Sequence, residues 1–99
     1  MRIFSKKTLE NFSKKHSSSK TPLETWFKTA EKAKWSKPND VKLDYPSASI
    51  IGGSRMVFNI SGNNYRLIVK FNYQKQFIFV CFIGTHAQYD KVDAETIKI

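Results

Sequence analysis

Histidine, tyrosine and aspartate stand close together in the segment THAQYD, residues 85–90. His86 comes just after the most apolar run of the chain, FIFVCFI at residues 77–83, so we expect it to lie past the end of a strand. Histidine titrates near neutral pH without help and suits proton transfer, while tyrosine can donate a hydrogen bond or lie under an unstacked base. A structural alternative stands beside this one, in which His86 caps the strand, Tyr89 packs on the core edge and Asp90 begins a final helical turn. Taken alone, the local pattern favours that alternative.

Other polar residues are expected on the same side of the molecule. They are Arg55, Asn59, Arg66, Lys70 and Lys91. Metal-independent RNA cleavage requires removal of the ribose 2′-OH proton, stabilisation of negative charge on the phosphate and protonation of the departing 5′-oxygen. Arginine can hold a phosphate with two donors and stays charged throughout. The residue types needed for RNA cleavage are therefore present, and the fold decides whether they meet.

A tight turn joins the strands that carry most of these residues. We predict strands at about 55–60, 64–72 and 77–83, and a two-residue Gly62-Asn63 turn suits a hairpin between the first two. The opposed pairs on the predicted apolar side are Ile60–Tyr65, Phe58–Leu67 and Met56–Val69. The pairs on the other side are Asn59–Arg66, Val57–Ile68 and Arg55–Lys70. The register thus separates a core face from a basic face.

The pairing of Arg55 with Lys70 places like charges opposite each other, which is unfavourable in a sheet. A phosphate bound between them would explain the pairing. The alternative is that both side chains extend into water at the edge of the sheet.

The last strand is expected in the interior of the sheet, because FIFVCFI is apolar on both faces. The short strand RIFS, residues 2–5, is its natural second neighbour. The turn YQKQF predicts the pairs Tyr73–Phe77, Phe71–Phe79 and Val69–Cys81. The even positions of the last strand, and His86 beyond it, would then share the face of Arg66.

Two helices are predicted before the sheet. Ser5 can cap the first, with Leu9 and Phe12 facing inward. Thr21 begins the second, because Pro22 fits the first helical position and Glu24 completes a T-x-x-E capping box. The inward face of the second helix is Leu23, Trp26, Phe27, Ala30 and Ala33.

The segments around these helices are expected to be irregular. HSSSK at residues 16–20 is predicted as a polar connector with His16 on the surface. Residues 36–49, punctuated by Pro38 and Pro46, are predicted as an irregular crossing with at most one helical turn.

With 99 residues, the chain is predicted to form a single α+β domain spanning 1–99. An N-terminal strand and a two-helix hairpin would pack on a small, mainly antiparallel sheet. Cys81 is the only cysteine and is expected in the core, and the two histidines show no metal-ligand spacing, so we expect no disulfide, metal or cofactor. The absence of a long apolar run or signal peptide favours a cytoplasmic protein without membrane contact.

The charge is +9 and is concentrated in the first part of the chain, where residues 1–42 hold 11 Lys or Arg against 4 acidic residues. Such an excess attracts polyanions, of which nucleic acid is the commonest inside cells. The alternative is that the lysines simply form solvated helix faces.

Two segments, FNISGNNYRLIV and GTHAQYDKV, make the chain resemble the HigB toxins of bacterial type II toxin-antitoxin pairs, within the RelE-like group of mRNA interferases. The resemblance covers essentially the whole chain. It implies a RelE-like fold, endonucleolytic cleavage of mRNA, in many members within the translating ribosome, and a helix-turn-helix antitoxin resembling HigA.

The resemblance also implies roles for individual residues. Arg66 in YRL matches a basic position that RelE-like toxins use on the scissile phosphate, and His86 stands where relatives have arginine or histidine. Tyr89 and Asp90 match a YD pair of which one or both are functional in relatives. Where RelE proper carries two lysines on the strand before YRL, this chain has Val57 and Asn59. This departure leaves the general base open, with His86 the first choice.

Two other functions remain as alternatives: a basic module that binds RNA or the ribosome without cutting it, and a protein retained only for binding its antitoxin. Base or codon preference, dependence on the ribosome, the mode of antitoxin binding and the oligomeric state do not follow from the sequence.

Overall fold

Five strands form one mixed sheet in this computed structural model, which describes residues 1–98. The elements in chain order are β1 (Arg2–Phe4), α1 (Lys6–Lys15), a 3-10 turn (Ser17–Ser19), α2 (Lys20–Lys32), α3 (Pro38–Asp44), β2 (Ser49–Ile51), β3 (Arg55–Ile60), β4 (Tyr65–Asn72), β5 (Phe77–Thr85) and α4 (His86–Tyr89). The strand order is β1-β5-β4-β3-β2, with β1 parallel to β5 and the other neighbours antiparallel. The predicted α+β class and the interior position of the last strand are confirmed.

The β3–β4 hairpin has the predicted register at every pair from Arg55–Lys70 to Ile60–Tyr65. The Asn64 amide donates to the Ser61 carbonyl at 3.2 Å and closes the turn, in which Gly62 has a φ of 67°. The side predicted to be apolar lies entirely in the main hydrophobic core. Alternation of side chains along two strands was therefore sufficient to assign this face.

The β4–β5 pairing contains a bulge that the sequence did not predict. Ile68 pairs with Phe82 but Val69 pairs with Val80, so Cys81 is one extra residue on β5. The predicted pairs Tyr73–Phe77, Phe71–Phe79 and Val69–Cys81 are therefore wrong, since Phe77 pairs with Asn72, Ile78 with Phe71 and Val80 with Val69. Because the bulge inverts the alternation, the even positions of β5 share the face of Arg66 only after Cys81.

Helices α1 and α2 cover the apolar face of the sheet. Leu9, Leu23, Trp26 and Ala30 are buried there, as expected. Ser5 occupies the N-cap position of α1 as predicted, but the predicted side-chain cap there and the predicted start of α2 at Thr21 are wrong. Ser5 adopts a left-handed φ of 74° without a side-chain hydrogen bond to the helix, and α2 begins at Lys20, before Thr21. The 3-10 turn leads directly into α2 and so moves its start, while Pro22 still lies in the first turn, where an amide donor is not needed.

The segment after α2 is more regular than predicted, since it contains α3 and β2. Val41 on α3 is fully buried, and the Trp35 indole donates to Asp44 at 2.8 Å. Hydrogen bonds from the backbone amide and hydroxyl of Ser36 lower the pKa of Asp40 and hold the approach to α3. Burial of Val41 thus stabilises a seven-residue helix in a segment whose prolines predicted an irregular path.

The second face of the sheet is not an open basic surface. Val57, Ile68 and Cys81 form a small buried cluster at its centre, which confirms the core position of the cysteine. The C-terminal segment covers this cluster with side chains including Val92 and Ile97. The C-terminal segment therefore separates the predicted basic residues into two groups, one at each end of this face. Within residues 1–98, no helix has the length and apolar character needed to cross a bilayer.

Candidate active site

Arg66 lies near the start of β4, between Asn59 on β3 and Gly84 on β5. Its Nη1 donates to the side-chain oxygens of Asn59 and of Asn63, the latter at 3.3 Å. The other guanidinium nitrogens have no acceptor among residues 1–98 and are not sealed from solvent. Two amides therefore hold one side of the guanidinium fork while the other side can bind a phosphate. Asn59, predicted to bind RNA, contacts Arg66 directly.

A short helix presents His86 at the same end of the sheet. Thr85 caps α4 by accepting from the Gln88 amide at 3.2 Å, while the Gln88 side chain accepts from the Thr85 amide at 2.9 Å. The His86 amide donates to the carbonyl of Asn64 in the β3–β4 turn at 3.2 Å. The capping box and this cross-link fix the start of α4 relative to the hairpin that carries Arg66.

His86 and Asp90 form a pair one helical turn apart. His86 Nδ1 lies 3.3 Å from Asp90 Oδ2, and the two side chains are 52% and 60% exposed. A carboxylate that accepts from Nδ1–H fixes the ring and leaves Nε2 free to accept a proton. Asp90 ends α4 rather than beginning the final turn, so that structural alternative is wrong; the last turn is stabilised by the carbonyl of Asp93.

Tyr89 contacts Arg66 and lies on the same short helix as His86. The Arg66 guanidinium lies 5.7 Å from the centre of the Tyr89 ring, within the range of a cation–π contact. The ring also packs against the small cluster on the second face of the sheet. Tyr89 is on the same short helix as His86 and Asp90, so the fold brings these three residues and Arg66 to one end of the sheet.

Gly84 is a site residue that the sequence analysis did not single out. A Cβ at this position would lie 2.5 Å from the Phe82 ring and 2.9 Å from Gln88 Oε1. Because Gln88 Oε1 closes the α4 capping box, any side chain at position 84 pushes against the group that fixes this helix. The glycine directly before THAQYD was the available signal.

We expect Gly84→Ala to lower RNA cleavage by about tenfold or more, because a displacement of about 1 Å can cost a factor of this size or greater. The measurement is the cleavage rate at saturating RNA, with the thermal unfolding midpoint measured in parallel. Ala87→Gly, a change at an exposed position of the same helix, is the control. An unchanged rate for Gly84→Ala would show that α4 tolerates displacement.

Arg55 and Lys70 lie at the opposite end of β3 and β4 from Arg66, four residues along β4. Arg55 is only 6% exposed and donates to the carbonyls of Ala94 and Ile97 at 3.1 and 2.7 Å. These bonds hold the C-terminal segment on the sheet, and they separate Arg55 from the group around Arg66. Lys91 is exposed just beyond α4.

His16 is not the surface residue that was predicted. It is partly buried, with its ring stacked on Phe12 at 4.3 Å and set edge-on to Tyr65 at 5.7 Å. Tyr65 pairs with Thr85, so these rings support the end of the sheet where the candidate site lies. Within residues 1–98, no three His, Cys, Asp or Glu side chains come together as metal ligands.

A model of the HigB toxin family, described as the RelE-like toxic component of a toxin-antitoxin system, matches residues 19–92. This chain belongs to the HigB family. The mRNA interferase HigB of Escherichia coli O6:H1 is 27% identical over 94 residues, covering 93% of this chain and 91% of the relative. The mRNA interferase toxin HigB of E. coli K12 is 27% identical over 92 residues, covering 91% and 88%.

Membership of the HigB family confirms the resemblance inferred from the two sequence segments. The matched range includes every residue of the candidate site, from Asn59 to Asp90. A toxic component of a toxin-antitoxin system has an antitoxin as its partner, so this chain is one half of such a pair. The names of the E. coli relatives agree with the expectation of a toxin that cleaves mRNA.

Proposed function

We propose that this HigB-family toxin is an mRNA endoribonuclease whose active site is formed by Arg66, His86, Tyr89 and Asp90. The observation that carries the proposal is their arrangement at one end of the sheet: the Arg66 guanidinium lies against Tyr89, and His86 is paired with Asp90 on the same helix. Hydrogen-bond donors for a phosphate and a group for proton transfer therefore occur at the same end of the sheet.

Cleavage proceeds through the ribose 2′-OH of the substrate. His86 Nε2 accepts the hydroxyl proton while Asp90, 3.3 Å from Nδ1, stabilises the imidazolium that forms. The 2′-oxygen forms a bond to phosphorus and the bond from phosphorus to the 5′-oxygen breaks. The products are a 2′,3′-cyclic phosphate and a free 5′-OH, whose proton comes from a donor such as Tyr89 or solvent.

Arg66 stabilises the charge that develops on the phosphate. Because Asn59 and Asn63 already hold the guanidinium of Arg66, it loses little conformational freedom when it binds the transition state. Tyr89 holds the guanidinium from one side and can stack on, or donate to, the nucleotide beside the scissile bond.

The macromolecular partners follow from charge and family. Exposed lysines on α1 and α2, among them Lys7, Lys14 and Lys28, suit contacts with phosphates of the translating ribosome, where the mRNA is cut. The antitoxin is a HigA-like helix-turn-helix protein that binds this toxin. Both partners are part of the proposal, which places the toxin in the cytoplasm.

Expression of the chain without antitoxin tests the proposal. We expect growth arrest and new mRNA 5′ ends that carry a hydroxyl group, mapped by sequencing after induction. Co-expression of a HigA-like helix-turn-helix antitoxin should restore growth. RNA binding without new 5′ ends would instead indicate a non-catalytic module, and antitoxin binding without toxicity would indicate a protein kept only for its complex.

A further inference from the structure

We propose that a second RNA-binding site, built on an exposed phenylalanine stack, lies at the end of the sheet opposite the candidate active site. It would hold an unpaired base and the adjoining phosphate of the single-stranded substrate. The inference rests on the proposed function for the identity of that substrate, and it assigns a role to residues that the cleavage mechanism does not use.

Three phenylalanines on β1 and β5 form the stack. The rings of Phe4 and Phe79 are parallel to within 11° at 5.0 Å, and Phe77 meets Phe4 edge-on at 5.1 Å. Phe79 is 39% exposed, one of only three large apolar side chains with that degree of exposure among residues 1–98. An exposed aromatic face on a rigid sheet offers a surface on which an unpaired base can stack.

The stack is surrounded by positive charge. The Arg2 guanidinium lies 5.0 Å from the centre of the Phe4 ring, and Lys70 is the direct cross-strand partner of Phe79. A depression beside Phe79 is lined by Lys70, Lys98 and the buried Arg55, and among residues 1–98 no acidic side chain lines it. Arg55 uses Nη1 on two carbonyls, which neutralise no charge, so the depression keeps a net positive charge suited to a phosphate.

This arrangement also accounts for the like-charge pair Arg55–Lys70. The pair is unfavourable in a bare sheet, and burial of Arg55 increases that cost because solvent screens it less. A phosphate in the depression would contact both cations and offset the repulsion. The carbonyl contacts of Arg55 alone explain its burial but not the choice of lysine opposite it.

The stack and the candidate active site lie at opposite ends of one face of the sheet, and a single RNA strand that reaches both must pass over the C-terminal segment that covers the centre of this face. Phe79, Lys70 and Arg66 lie on the same face of the sheet, since cross-strand partners and alternate residues share a face. Lys70 is four residues from Arg66, about 13 Å at the usual rise of a strand. The acidic Glu95 lies beside Gly52, at the β2–β3 edge and away from β5.

Equilibrium binding of an uncleavable RNA tests the site separately from catalysis. The probe is a fluorescent single strand of about ten nucleotides, long enough for several contacts, with 2′-O-methyl groups that prevent attack through the 2′-oxygen. We expect Phe79→Ala to raise Kd about 5- to 100-fold, because loss of one base–aromatic stack has an effect of this size. Lys70→Ala should lower the salt dependence of log Kd by about 0.7, as expected for one lost phosphate contact.

Two controls match these variants: Leu43→Ala, at an apolar side chain that is 81% exposed on α3, and Lys34→Ala, at an exposed lysine after α2. Both should leave Kd unchanged. Phe79→Trp keeps an aromatic face, and its fluorescence should be quenched by the probe. If thermal unfolding shows that Phe79→Ala does not fold, Phe79→Trp still tests the proposal.

The proposal is overturned if Phe79→Ala binds the probe as tightly as the wild type, or if Phe79→Trp shows no quenching. It is also overturned if Phe79→Ala loses affinity for the antitoxin while keeping its affinity for RNA, since the stack would then be a protein-binding surface. Failure of the proposed nuclease is a different result: the wild type would bind the probe through the stack but leave an unmodified strand uncut.

Discussion

Replacing Arg66 by alanine is expected to abolish growth arrest and to lower the rate of RNA cleavage at saturating RNA by about 100- to 1000-fold. The size of this decrease in rate follows from the loss of hydrogen-bond donors that are already oriented toward the phosphate, where negative charge develops in the transition state. Arg66 is already fixed by Asn59 and Asn63 on one side and by Tyr89 on another, so water would be a poor substitute. Single-turnover cleavage of an unmodified RNA strand is the measurement.

The variant Arg66→Lys distinguishes the effect of the positive charge from the effect of the two-donor geometry of the guanidinium. Lysine keeps the positive charge but presents a single ammonium group, so we expect it to recover only part of the rate lost in Arg66→Ala. Asn59→Ala leaves the guanidinium in place but frees it to rotate, and a smaller loss of rate is expected. If Arg66→Ala cleaves RNA at the wild-type rate, the scissile phosphate is held elsewhere and the proposed active site is wrong.

The strand pairing around Arg66 was predictable from the sequence because one short turn sets the whole register. With Gly62 and Asn63 in the turn, Arg66 must face Asn59, and the structure has this pair. The same reasoning failed in the next hairpin, where the extra residue Cys81 changes the pairing beyond Ile68. A bulge has no signature in an uninterrupted apolar run, since every residue there suits either face.

The features that local sequence patterns did not predict depend on which side chains are buried. The prolines at 38 and 46 predicted an irregular segment, but Val41 enters the core and α3 forms around it. In the same way, one of the two interpretations of the Arg55–Lys70 pair, in which both side chains extend into water, is wrong because Arg55 is buried beneath the C-terminal segment. Such contacts join residues about 40 positions apart and cannot be derived from periodicity.

The candidate site itself was only partly readable. His86, Tyr89 and Asp90 were selected by residue type, but their relation to each other depends on α4, a helix of four residues. Its capping box uses Thr85 and Gln88, a T-x-x-Q spacing that the sequence analysis did not use, and it requires Gly84 just before it. The pairing of Asp90 with His86, rather than with Arg66, is a consequence of that helix.

This pairing gives Asp90 a testable role as a positioning residue. Asp90→Asn preserves the size of the side chain but removes the charge that favours Nδ1–H and stabilises the imidazolium. We expect a loss of cleavage rate of about tenfold or more, smaller than that for loss of the imidazole itself, with little change in Kd for uncleavable RNA. A purely structural role would instead lower the thermal unfolding midpoint and leave the pH dependence of cleavage unchanged.

Replacing His86 by alanine is expected to lower single-turnover cleavage by about 100- to 10,000-fold, the range for loss of a general base. Since the His86 side chain is half exposed and, within residues 1–98, pairs only with Asp90, its removal should scarcely affect folding, and added imidazole should restore part of the activity. A His86→Ala protein with the wild-type rate would contradict the assignment, and another group would have to accept the proton from the 2′-hydroxyl.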